Sequence, residues 1–131
     1  MFIPTLVLTL LGAAMPLVAL VGGHGPEDPW RGTGLLLGVW GLSPFVLFPI
    51  AARAARRRWV GRMVLALTLI AAVFGAVGYL GLLPRRPGNA GLLLAAFLPV
   101  WQWPMALLAG ILAVFVPSEE QERAMDETAG E

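Results

Sequence analysis

Four long apolar runs divide this chain, and they restrict its fold more than any other feature of the sequence. They cover residues 2–22, 34–52, 63–83 and 91–116, and none of them contains Asp, Glu, Lys, Arg or His. Each run is close to the roughly 20 residues that an α-helix needs to cross a hydrocarbon core of about 30 Å. The pattern predicts an all-α integral membrane protein with four transmembrane helices in a compact bundle, short loops and an acidic C-terminal tail.

The composition agrees with lipid as the solvent for most of the chain. Of the 131 residues, 58% are hydrophobic and 13% are charged, which is too few charges to cover the surface of a water-soluble domain. We expect one transmembrane domain over residues 1–117 and a tail over residues 118–131. No basic segment precedes the first run, which favours a retained helix over a cleaved signal peptide.

The charged residues are segregated along the chain. Five arginines lie in the second connection, and they are Arg53, Arg56, Arg57, Arg58 and Arg62. The tail carries six acidic residues against one arginine. The positive-inside rule predicts that this connection and both termini are cytoplasmic. In any four-span chain the second connection and the C-terminus share a side, so we expect a salt-sensitive contact between them. Ser118 and Gln121 have the spacing of a capping box, which predicts a helical turn at the start of the tail.

Three roles fit the five arginines. They are sufficient to orient the chain in the membrane. They also suit the headgroups of anionic lipids, and they suit docking onto an acidic partner or onto the protein's own tail. Nucleic acid is not an expected partner, because the cluster is short and is tied between two spans.

Each apolar run carries small or hydroxyl residues at helical spacing. Lipid gives helices no hydrophobic reason to associate, so close backbone approach at such stripes must hold the bundle together. The predicted stripes are Thr5, Thr9, Gly12, Ala13, Pro16 and Ala19; Gly34, Gly38 and Gly41; Thr68, Ala71, Ala72, Gly75 and Gly78, with Tyr79 beside them; and Ala95, Pro99, Gln102, Ala106, Ala109 and Ala113.

The segment 97–105 interrupts the last run with prolines, tryptophans and a glutamine. Gln102 falls on the alanine stripe, so it should face protein and form an interhelical hydrogen bond. The tryptophans beside it splay to either side by about 100° each, where they fill gaps against neighbouring helices or face another protein chain. Each proline removes a backbone donor and frees the carbonyl four residues earlier, so we expect the second and fourth helices to be broken and the freed carbonyls to recruit polar side chains. The predicted packing and polar node is Gln102, Trp101, Trp103, Pro99, Pro104, Ser43 and Thr68.

Several functional classes lack their usual residues. Ion-coupled pumps and exporters place an ionisable group inside the membrane, and four-span multidrug exporters carry a glutamate in the first helix, which this chain lacks. The glycine- and arginine-bearing signatures of small fluoride channels are also missing. His24, Glu27 and Asp28 are the one group with metal-ligand atoms, but they lie in a Gly/Pro turn typical of a solvated loop. Ser43 and Ser118 have no histidine nearby in the chain, so no enzyme, metal or cofactor is predicted.

The pattern of four short spans, a basic middle connection and an aromatic last helix resembles small bacterial membrane proteins that have no assigned function. We therefore expect a structural or accessory role in a bacterial cytoplasmic membrane, as a subunit of a larger membrane complex or as a self-associating protein. One alternative is an oligomeric transporter or channel with a polar path near Gln102, and another is a protein that handles lipid headgroups. Expected partners are the bilayer, anionic lipids and other membrane subunits or further copies of the chain.

Overall fold

A computed structural model of the protein describes residues 2–21, 31–82 and 89–130, and these residues are helical almost throughout. The helices are α1 (Phe2–Val21), α2 (Arg31–Leu42), α3 (Leu47–Ala54), α4 (Arg58–Ala76), α5 (Asn89–Phe115) and α6 (Glu119–Ala129). A 3-10 turn, Ser43–Val46, joins α2 to α3, and a π-helical segment, Val77–Leu82, extends α4. The predicted all-α class is confirmed.

Four segments are long and apolar enough to cross a membrane, as the four apolar runs predict. They are Phe2–Ala19, Gly32–Ala54, Arg58–Leu82 and Ala90–Phe115. The first span packs against the second and the third, and the fourth packs against the same two, so that α1 and α5 lie on opposite corners of the bundle. At one end of the bundle the Arg53 guanidinium lies 5.9 Å from the centre of the Phe2 ring, which brings the end of α3 beside the start of α1.

The second span is interrupted near its middle, as its prolines predict. Pro44 cannot donate a backbone hydrogen bond, and the chain tightens into the 3-10 turn at this point before it continues as α3. The fourth span differs from the prediction, because α5 is a single helix that continues through Pro99 and Pro104. Pro99 is buried against the neighbouring spans, and a proline can be held inside a membrane helix when such neighbours support the backbone. Pro104 lies on the exposed face of the same helix.

The third span begins earlier than its apolar run. Helix α4 starts at Arg58 instead of Met63, because the apolar run marks the part of a helix that lies in hydrocarbon and long arginine side chains can reach water from a helix end. The π-helical segment at the other end of this span contains two buried residues, Gly78 and Tyr79.

Close backbone approach at glycines holds the spans together. A Cβ atom at Gly12 would lie 2.4 Å from the ring of Phe45, and one at Gly78 would lie 2.4 Å from a methyl group of Leu98. These distances are shorter than van der Waals contact allows, so each glycine is the socket for a large side chain of another span. Phe45 is 1% exposed and Phe48 is fully buried, and their ring centres lie 6.0 Å apart.

The tail forms a longer helix than the single turn that the sequence predicts. The predicted capping box is confirmed, because the Gln121 backbone N–H donates to the Ser118 hydroxyl and the Ser118 backbone N–H donates to the Gln121 side chain. Three acidic residues in the first turn favour the helix further through its dipole. Helix α6 is exposed along its whole length.

Candidate functional site

Gln102 is completely buried and joins the fourth span to the third. Its side-chain nitrogen donates to the Ala71 carbonyl oxygen at 3.0 Å. The nitrogen also lies against Gly75, where a Cβ atom would be 2.9 Å away. The glycine therefore opens the space through which the amide reaches the α4 backbone.

Two polar atoms at the centre of the bundle have no hydrogen-bond partner among the described residues, and they are the Tyr79 hydroxyl and the Gln102 side-chain oxygen. The Tyr79 hydroxyl lies against Gly41, where a Cβ atom would be 2.7 Å from it and 2.7 Å from Pro16. The sequence predicts that buried polar side chains donate to carbonyls freed by prolines, but the Tyr79 hydroxyl makes no such hydrogen bond within the described residues. The centre of the bundle is closely packed and retains unused hydrogen-bonding capacity.

A chain of hydrogen bonds connects the broken second span to the fourth. The Trp103 indole donates to the Ser43 hydroxyl at 3.2 Å, and that hydroxyl donates to the Trp40 carbonyl at 2.6 Å. The Trp40 carbonyl is the one that loses its helical donor to Pro44. The Trp40 indole in turn donates to the Ala96 carbonyl at 2.9 Å, next to the Ala95 carbonyl that Pro99 frees.

The remaining predicted node residues separate into an inner and an outer group. Pro99 is buried on the packed face of α5. Thr68 is buried as well, but its hydroxyl donates to the Val64 carbonyl of its own helix at 2.7 Å and links no spans. Trp101 and Pro104 are exposed on the outer face of α5 and take no part in the inner node. Along the helix Trp101 is rotated about 100° from Gln102 and Pro104 about 200°, which puts both on the side away from the packed stripe.

The basic connection contacts the tail, as the charge pattern predicts. The Arg57 guanidinium forms an ion pair with Glu122 and donates to the Pro117 carbonyl at 2.8 Å. The Arg56 guanidinium donates to the Gln121 side-chain oxygen at 2.9 Å. Two of the five arginines therefore hold α6 against the connection.

The other arginines have different surroundings. Arg53 stacks on Phe2. Arg58 and Arg62 are exposed on α4 and have no acidic partner within the described ranges. They line an open cleft of ≈ 860 Å³ together with Trp59 and the first residues of α6.

Some predicted features lie outside the described residues. The His24, Glu27 and Asp28 group falls in residues 22–30, and the connection between the third and fourth spans includes residues 83–88, which also lie outside the described ranges. Among residues 2–21, 31–82 and 89–130, no three His, Asp or Glu side chains are grouped to hold a metal ion.

Sequence reasoning missed two of the largest buried side chains, Phe45 and Phe48. They follow Gly41 by four and seven residues, so they continue the glycine stripe of the second run at helical spacing. That spacing was the available signal. The break predicted at Pro44 ended the stripe at Gly41, although the same face stays buried through the 3-10 turn.

Comparison of the chain with protein-family models, with curated proteins and with solved structures finds no match in any of the three.

Proposed function

We propose that this protein has a structural or accessory role in a bacterial cytoplasmic membrane, as a self-associating protein or as a subunit of a larger membrane complex. Both termini and the arginine-rich connection face the cytoplasm in this proposal, following the positive-inside rule. The single observation that carries the proposal is the outward position of Trp101 near the middle of the last span.

Trp101 differs from Trp40 and Trp103. The indoles of Trp40 and Trp103 donate to acceptors within the chain. Trp101 is 66% exposed, and its indole has no acceptor among the described residues. Tryptophan prefers the membrane interface, and an indole N–H without an acceptor in hydrocarbon is costly. The position of Trp101 therefore favours a neighbouring protein that supplies the acceptor.

The same face of α5 offers the complementary group. Pro104 has no N–H, so the Val100 carbonyl lacks its helical donor. Val100 is 48% exposed, and Phe97, one turn before Trp101, is 58% exposed. In a symmetric contact between two copies, the Trp101 N–H of each copy can donate to the Val100 carbonyl of the other.

The packing inside the bundle also supports a structural role. Large side chains of other spans occupy the space beside the central glycines: Phe45 packs against Gly12, and Leu98 packs against Gly78. Such interlocking packing gives a rigid scaffold that can present a fixed outer face.

The test is association of the full-length protein in a mild detergent, measured by native mass spectrometry and by co-purification from its membrane. Trp101→Phe keeps an aromatic ring but removes the indole N–H, and Trp101→Ala removes both. We expect a graded loss of the oligomer or of the co-purifying subunit, with Trp101→Ala losing most.

The matched control is Leu10→Ala. Leu10 is 62% exposed on α1, at the opposite corner of the bundle, so its loss should leave association unchanged. A wild-type protein that is a monomer without partners would contradict the proposal, and so would equal effects of Leu10→Ala and Trp101→Ala.

A second candidate function is transport by an oligomer. The Tyr79 hydroxyl and the Gln102 side-chain oxygen, which have no partner in the part of the chain that the structure describes, favour it, because buried groups with spare hydrogen-bonding capacity can serve a polar permeant. The π-helical segment that contains Tyr79 also favours it, because such segments are frequent at functional sites. Flux into liposomes that contain the purified protein is the measurement. No flux, or flux unchanged in Gln102→Ala, would eliminate this candidate.

A further inference from the structure

The cleft beside α6 lies at an edge of the membrane-spanning region. Arg58 is the first residue of the third span, and Phe115, four residues before α6, is the last residue of the fourth. Trp59, 47% exposed, lines the cleft. Indole rings favour the headgroup layer of a bilayer, so the cleft opens where lipid headgroups lie.

The arginines at this cleft are unequally engaged. Arg56 and Arg57 already bind Gln121, Pro117 and Glu122 of the tail segment. Arg58 and Arg62 lie four residues apart, on one face of α4, and have no acidic partner among the described residues. Two free guanidinium groups on one wall present up to ten N–H donors, an arrangement suited to phosphate oxygens.

The opposite wall carries charge of the other sign. Glu119 and Glu120 of α6 line the same cleft and are exposed. Carboxylates repel phosphate and attract guanidinium groups, so they act against an anion that enters between α4 and α6. Because α6 is held to the connection through Arg57, these carboxylates stay close to the site.

We propose that this cleft binds the phosphate headgroup of an anionic phospholipid through Arg58 and Arg62, and that the acidic start of α6 limits the affinity as a tethered competitor. The cleft volume of ≈ 860 Å³ accommodates a headgroup. The inference goes beyond the proposed structural role and does not depend on it, since it concerns bound lipid and the other concerns bound protein.

The test titrates the full-length protein in neutral detergent with phosphatidylglycerol or phosphatidylcholine and counts bound lipid by native mass spectrometry. We expect tighter binding of phosphatidylglycerol. The double variant Arg58→Gln/Arg62→Gln should bind it about 30-fold more weakly, from the usual contribution of each arginine near an anionic surface. Arg58→Lys/Arg62→Lys keeps both charges and should retain most of the binding.

The matched control is Arg53→Gln/Arg123→Gln, which removes two positive charges outside the cleft. If this control loses as much lipid as the cleft variant, the effect is one of total charge and the proposal is wrong. Equal affinity for the two lipids would also overturn it. Displacement of bound lipid by millimolar inorganic phosphate would show that the cleft takes the free anion instead.

The role of the tail is tested separately. Glu119→Gln/Glu120→Gln leaves Arg57 and Glu122 paired but removes the competing carboxylates, so phosphatidylglycerol should bind severalfold more tightly. Unchanged affinity in this variant would refute competition by α6. This variant keeps both arginines, so it remains informative if the arginine variants fail to fold.

Discussion

The side-chain nitrogen of Gln102 lies 3.0 Å from the carbonyl oxygen of Ala71, and this hydrogen bond joins the fourth span to the third across the centre of the bundle. It forms where α4 has a glycine, Gly75, beside the carbonyl. The other end of the same amide has no partner among the described residues. The side-chain nitrogen of Gln102 is therefore hydrogen-bonded and stabilises the protein, whereas its buried side-chain oxygen lacks a partner among the described residues and destabilises it.

Replacement of Gln102 separates these two effects. Gln102→Ala loses the hydrogen bond, about 0.6–2 kcal/mol in membrane bundles, and leaves a cavity, so we expect a total loss of roughly 2–4 kcal/mol of unfolding free energy. Gln102→Leu fills the space and also removes the unsatisfied oxygen, so its cost should stay below about 1.5 kcal/mol. Unfolding in mixed micelles by added denaturing detergent measures both. A leucine variant less stable than the alanine variant would contradict this account.

The glycine sockets predict a different pattern of substitution. Gly78→Ala forces a methyl group onto Leu98 and should destabilise the protein by about 1–3 kcal/mol. Gly110→Ala is the control, since a Cβ atom at Gly110 meets nothing within 4 Å and alanine favours a helix. Combining Gly78→Ala with Leu98→Ala should cost less than the sum of the two single losses, because the new methyl group then has room in the space that the leucine leaves. A double-mutant cycle measures the coupling, and additive losses would show that the two residues do not press on each other.

Ser43 supports two polar groups at once. Ser43→Ala removes the acceptor of the Trp103 indole and the donor to the Trp40 carbonyl, so we expect a loss of about 1–3 kcal/mol together with a shift in tryptophan emission. Thr68→Val is the control, because the Thr68 hydroxyl bonds only its own helix and its loss should cost less than about 0.5 kcal/mol. Equal losses in the two variants would show that the bridge between spans adds nothing.

The contact between α6 and the arginine connection should respond to salt. Glu122→Gln removes the ion pair with Arg57, and because Glu122 is largely exposed the pair contributes only about 0–1 kcal/mol. The chain has no cysteine, so cysteines at Trp59 and Met125, both exposed, can carry spin labels without background.

Distances between these labels report whether α6 stays docked. They should broaden in 1 M salt, where the screening length is about 3 Å, and Glu122→Gln should give the same broadening at low salt. The swap Arg57→Glu/Glu122→Arg should restore a narrow distribution. A narrow distribution in Glu122→Gln at low salt would indicate that the other contacts suffice to hold the helix.

Periodicity and hydropathy predict most of the fold because the membrane leaves few alternatives. Backbone groups in hydrocarbon must bond within the span, which makes each apolar run a helix, and small residues then mark the faces that can approach. Gly34, Gly38 and Gly41 are all buried, and so are Ala95, Ala106 and Ala109.

The rest depends on local backbone choices that periodicity does not encode. Pro44 predicts a break, but it does not predict that the break is a 3-10 turn that leaves Phe45 and Phe48 on the same buried face as Gly41. Prolines specify which donor is lost but not how the backbone responds: Pro44 interrupts its span while Pro99 and Pro104 do not. The Trp40 indole donates to the Ala96 carbonyl, whereas Pro99 frees the neighbouring carbonyl of Ala95. The π-helical segment around Tyr79 has no signal in the sequence that we could recognise.

The hydrogen bonds around Ser43 also have a consequence for biogenesis. The second span enters the membrane well before the fourth, yet Trp40 finds its acceptor on α5 and Ser43 receives its indole donor from the same helix. During synthesis, polar groups in the middle of the second span therefore lack these partners until the fourth span inserts. A chain truncated before Ala96 should insert into the membrane without completing its fold. Its polar groups without partners would give cellular quality control a defined defect to recognise.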